Sequence, residues 1–110
     1  MDGRAGRDLV GRIVISARGR YIGTVGCVWG NASDQSGMFL GVRTLGLPGE
    51  PRIVPLAPCR VEGTFVRTPF HCAAIHGAPR AAPSEILQSE VRFQVLRHYG
   101  LVPDPVGAPV

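Results

Sequence analysis

Cys72 and His76 stand four residues apart with His71 beside them, so a helical segment there would put a thiol and an imidazole on one face. That spacing suits two chemistries. A structural zinc takes four ligands, and Cys59 would have to complete the set from a distant part of the sequence. Short Ala-containing turns hold Cys more simply as a small hydrophobe, so no metal is expected. The second chemistry is a Cys–His nucleophile, but no family signature surrounds Cys27, Cys59 or Cys72, and there is no Gly-x-Ser-x-Gly elbow. The eight carboxylates are scattered, without a pair spaced for general acid and base work. The glycines at Gly41, Gly46 and Gly49 fit neither a phosphate loop nor a dinucleotide fingerprint and read as turn residues. All twelve basic residues are Arg, which removes every lysine-dependent mechanism. The expectation is a chain that is not an enzyme and takes no cofactor.

A second constellation is basic and aromatic. Arg12, Arg18 and Arg20, with Arg43 and the strand aromatics Tyr21, Trp29, Phe39 and Phe65, are the candidates for contact with nucleic acid. The plainer reading has those aromatics filling a core. The net charge of +4 lies mostly in the first twenty residues, where five Arg face Asp2 and Asp8. Such an excess permits a nucleic-acid partner without demanding one. Apolar surface candidates lie elsewhere: Leu45 and Leu47 near a hairpin tip, and Leu87, Val91, Val95 and Tyr99, which recur every four residues.

The elements that position these residues are short strands. Runs at 12–16, 21–29, 38–44, 52–56 and 59–68 read as β, the last bent at Gly63. In 21–29 both faces carry apolar residues, which fits a strand that changes its inward face at a glycine kink or is covered on its outer side as well. Gly11, Gly19, Gly23 and Gly26 are read as turn and bend geometry, and Pro48-Gly49 as a type II turn pairing 38–44 with 52–56. Asn31 to Gly37 is a polar loop, and 70–76 offers one or two helical turns. Ser84 is the expected N-cap of an amphipathic helix over 84–99, closed by Gly100, with His98 favouring the helix C-terminus.

The domain plan is therefore a flexible start at 1–8, a β-barrel over 9–69, a linker and helix over 70–101, and a flexible tail at 102–110. The fold class is mostly β, about six short strands in a small closed barrel with a C-terminal helix. Three widely spaced cysteines give no disulfide framework, and no stretch approaches the roughly 18 apolar residues of a membrane span. Both point to a reduced, cytoplasmic setting.

The stretches Gly11-Arg12-Ile13-Val14, Arg18-Gly19-Arg20-Tyr21-Ile22-Gly23-Thr24-Val25, Arg52-Ile53-Val54-Pro55-Leu56 and Val61-Glu62-Gly63 together resemble the PRC-barrel domain. That family is typified by the cytoplasmic domain of the photosynthetic reaction centre H subunit and the C-terminal domain of the ribosome maturation factor. Ala78-Pro79 and the ending His98-Tyr99-Gly100-Leu101 are similar to the extension of stand-alone bacterial members. The chain departs from the pattern at Arg18, where an acidic residue usually precedes the turn glycine. The resemblance implies a non-catalytic adaptor or assembly module acting through protein contacts. A homodimer is expected, its helix packed on its own barrel or on a second subunit. An RNA- or ribosome-associated factor using Arg12, Arg18 and Arg20 is the alternative.

Overall fold

A computed structural model describes residues 9–30 and 38–101 of the chain. The expectations for 1–8, for the loop at 31–37 and for the tail at 102–110 lie outside the described residues. Six strands form one curled, half-barrel sheet: β1 Ile13–Ile15, β2 Tyr21–Trp29, β3 Phe39–Thr44, β4 Arg52–Pro55, β5 Arg60–Glu62 and β6 Phe65–Arg67. Two helices follow, α1 Cys72–His76 and α2 Ser89–His98. The sheet order is β4-β3-β2-β1-β6-β5. All pairs are antiparallel except β1 with β6, because the chain leaves β4 and crosses to the far side of β1 before making the β5–β6 hairpin. The sheet therefore ends in two edges, β4 and β5, where a closed barrel would join them.

Strand β2 explains the curl. Its register slips against β1 at Ile22 and against β3 at Gly26, two extra residues within one nine-residue strand. Each bulge flips the side-chain alternation and bends the strand. Ile22, Val25 and Val28 consequently all face an inner cluster with Val14, Leu40, Val42, Val54, Val66 and Ile75, while Cys27 and Trp29 face an outer one. The glycine kink and the second covered face are both present.

The outer cluster sits between the β2–β3–β4 surface and α2: Trp29, Phe39 and Ile53 meet Leu87 and Val95, with Val91 and Leu96 at its margin. Gly41 belongs here and is not a turn residue. It lies in mid-strand, where an added Cβ would come within 2.4 Å of the Cys27 sulfur and 3.0 Å of the Trp29 ring.

The C-terminal helix starts later than its cap signal. Ser84 does not cap it: Glu85 accepts a hydrogen bond from the Ala82 amide at 2.6 Å and so closes a local turn instead. Leu87 is laid into the outer cluster before the helix begins at Ser89, with Gln88 as its N-cap. Burial of one leucine outweighs the local capping preference. The other end behaves as expected. Gly100 takes φ of 73°, its amide bonds to Arg97 O and that of Leu101 to Leu96 O, a Schellman closure.

Both edges differ in protection. Along β4 the Ile53 amide donates to Pro79 O at 2.9 Å, the Ala81 amide to Pro51 O at 3.3 Å, and the Tyr99 hydroxyl to Ile53 O at 2.9 Å. The Pro79–Ala81 strap and the end of α2 thus cover that edge. His98, expected to serve its own helix terminus, instead donates from Nε2 to Ala74 O of α1 at 2.7 Å and locks the two helices together. No helix among the described residues is long and apolar enough to cross a membrane.

Candidate functional site

Two polar turns form the walls of a cleft of about 960 Å³ lined by residues 16–18, 20–22 and 69–73. The first wall is the β1–β2 turn. Ser16 Oγ accepts from the amides of Arg18 at 3.3 Å and Arg20 at 3.1 Å, and the Gly19 amide donates to Ser16 O at 2.8 Å. Gly19 has φ of 84°, a conformation that side-chain-bearing residues rarely adopt. Arg67 braces the turn from β6: its Nη1 donates to the carbonyls of Ser16 and Ala17 at 3.4 and 3.1 Å, while Nε pairs with Glu62 at 3.0 Å. That pairing holds the half-exposed Glu62 carboxyl below its ordinary range, first through the hydrogen bond from Arg67. The backbone carrying Arg18 and Arg20 is therefore fixed, and both side chains are exposed.

The second wall repeats the device. Thr68, fully buried, accepts the Phe70 amide on its Oγ1 at 3.2 Å, and its own amide donates to Ile15 O at 2.9 Å. Phe70 is seated on Tyr99, the ring centroids 4.3 Å apart. Burial pushes the Tyr99 phenol well above its ordinary range. His71, Cys72 and Ala73 continue this wall into α1. The floor is apolar, with Ile22 buried and Tyr21 half exposed. None of the described residues that line the cleft is acidic.

Among the chemistry-bearing candidates, Cys72 and His76 do meet: Sγ lies 3.2 Å from Nε2, with both side chains exposed. Cys59 is not with them. It is half-buried, donates to Pro55 O at 3.3 Å, and burial pushes its thiol up to about 11. No group of three or more His, Cys, Asp or Glu among the described residues is placed to hold a metal ion.

The remaining candidates separate. Arg12 is turned away from the cleft wall and donates to Gly63 O, while Arg18 and Arg20 line it. Gly11, Gly19 and Gly49 occupy turns with φ of 91°, 84° and 101°, Gly49 following Pro48 at the hairpin. Gly23 and Gly26 lie in the bulged strand β2. Leu45 is 76% exposed, whereas Leu47 is half-buried. Leu87 and Val95 are buried within the chain, and Val91 and Tyr99 are partly buried beside them, so α2 packs on its own sheet. Trp29 and Phe39 fill the core, while Tyr21 and Phe65 are exposed.

The sequence singles out Arg18, Arg20 and Tyr21, and separately His71 and Cys72, but not that 69–73 forms a wall facing the arginine turn. The signal was available: Ser16 two residues before Arg18 and Thr68 two before Phe70 each announce a side-chain-to-backbone turn. Compared with known proteins, the chain matches no family model and no curated protein.

Proposed function

We propose that the chain is a PRC-type adaptor of the bacterial cytoplasm, and that its cleft takes a short acidic, aromatic- or aliphatic-containing segment of a partner protein. The observation that carries this reading is the cleft itself. Two exposed guanidinium groups on a braced turn stand over an apolar floor of Ile22 and Tyr21 and across from Phe70, with no carboxylate in the lining. Arg forks grip carboxylates in a planar, bidentate way, and half-exposed aromatics supply contact area at low entropic cost. The family reading is supported by the six short strands and the terminal helix packed on them.

The expected homodimer needs a surface other than the helix face of Leu87, Val91, Val95 and Tyr99, which packs on its own sheet. The β5–β6 hairpin supports one: it ends the sheet, and Val61 and Phe65 are 49% and 40% exposed there. Light scattering across a concentration series tests it, and a monomer at high concentration rejects it.

The test of the main reading is calorimetric titration with acidic peptides bearing one aromatic residue, beside single-stranded RNA at low salt. Peptide binding that is lost in Arg18→Glu/Arg20→Glu supports the adaptor. RNA binding without peptide binding would transfer the site to the alternative, since Arg18, Arg20 and Tyr21 would serve a nucleic-acid strand equally.

A further inference from the structure

We propose that Cys72 is a site of thiol–disulfide exchange, with His76 as its proton acceptor and Arg18 and Arg20 drawing small acidic disulfides into the cleft. Three observations meet at this position. Cys72 Sγ and His76 Nε2 are 3.2 Å apart across one turn of α1, within reach of direct proton transfer. Cys72 lines the cleft from one wall while Arg18 and Arg20 line it from the other. It is exposed, whereas Cys27 and Cys59 are half-buried.

The other two thiols give the contrast its force. Burial raises both of them, Cys59 to about 11, so each is held in the unreactive protonated form. Cys27 is packed against Gly41 and the Trp29 ring. Only Cys72 couples access, a base and cations that favour an anionic reactant.

The step is an exchange without net loss of electrons. His76 Nε2 accepts the Cys72 proton, and the thiolate attacks one sulfur of the incoming disulfide. The old S–S bond breaks as the new one forms. The departing thiolate takes up the proton, so Cys72 is oxidised to a mixed disulfide and the leaving thiol is the reduced product. The acid group carried in on the bound half remains beside Arg18 and Arg20. The proposal does not depend on the acidic-partner reading, because its assay contains only the protein and a reagent.

Dithionitrobenzoate, a dianionic aromatic disulfide, is the probe, with the neutral dithiodipyridine as control. The intact chain is expected to show one fast thiol and two slow ones. Cys72→Ser removes the fast phase. His76→Gln slows it about tenfold near neutral pH. Arg18→Ala/Arg20→Ala slows the dianionic reagent about tenfold while leaving the neutral one unchanged, and added salt does the same to the intact chain. A fast phase that survives Cys72→Ser, or a His76→Gln chain that reacts as fast as the original, overturns the proposal. Equal loss of rate for both reagents in the double Arg variant overturns the cationic role of the cleft.

Discussion

The sheet has two unlike halves. Strands β2, β3 and β4 are covered on both faces, by the inner cluster and by α2, and β4 is buried at every position. Strands β5 and β6 contribute Val66 to the inner cluster but leave Arg60, Val61 and Phe65 exposed. Apolar area removed from water scales with stability, so the first half carries most of the folding energy. The second half, with the β1–β2 turn it braces, is free to present chemistry. The burial that holds the fold and the proposed cleft thus lie largely apart, with Ile22 of β2 serving both.

That division is broken most violently at glycine. Gly23→Ala would place a Cβ within 2.2 Å of the Arg43 carbonyl oxygen, a backbone atom that cannot swing away. A loss of about 3 kcal/mol or more is expected in urea unfolding, with loss of the β2–β3 register. Gly26→Ala meets only the Arg43 side chain, at 2.9 Å, and is expected to cost clearly less in the same assay. Comparable costs for the two would contradict the backbone contact.

Next in size is the core itself. Leu40→Ala in the doubly covered half removes a fully buried side chain and is expected to cost about 2–5 kcal/mol. Val61→Ala in the open half removes a side chain that is 49% exposed, and should stay within about 0.5 kcal/mol. Parallel chemical denaturation of the two variants measures the asymmetry directly.

A pH titration sharpens the same contrast. The Cys59 thiol and the Tyr99 phenol both lie above their ordinary ranges, chiefly through burial. Each binds its proton more tightly in the folded chain than in the unfolded one. Their contribution is therefore complete below the unfolded thiol value of 9.0 and is lost as pH rises toward the folded values, about 11 for Cys59. Between about pH 8 and about pH 11 Cys59 alone is expected to cost the fold about 2 kcal/mol, and Tyr99 adds to that loss. Cys59→Ala with Tyr99→Phe should flatten that slope.

The smallest effect on folding accompanies the largest proposed effect on binding. Arg18→Glu/Arg20→Glu changes two exposed side chains whose backbone is held by Ser16 and Arg67. Thermal unfolding is expected to shift by no more than about 0.5 kcal/mol while acidic-peptide binding disappears. A large shift in stability would place these arginines in the folding half after all.

The strands were legible because their signals are local. Short apolar, β-branched-rich runs mark 13–15 and 39–44, Pro48-Gly49 and Gly19 punctuate them, and Gly26 sits at a bulge. The late helix start was not, since Ser84 lies in a turn closed by Glu85 while Leu87 packs against Trp29, Phe39 and Ile53, which are distant in sequence. The cleft was half legible. Its arginine wall is one contiguous turn, but its partner wall lies some fifty residues away and arrives through the parallel pairing of β1 with β6. Whether the sheet closes was equally hidden, because it depends on Pro79 and Tyr99 occupying the β4 edge.

Tyr99 ties these halves mechanically. Its hydroxyl latches α2 to Ile53 on one side of the molecule, and its ring carries Phe70, part of the cleft, on the other. A hand that pries the terminal helix loose would therefore slacken the cleft from beneath, and a segment wedged firmly against Phe70 would tighten the helix's grip on the sheet.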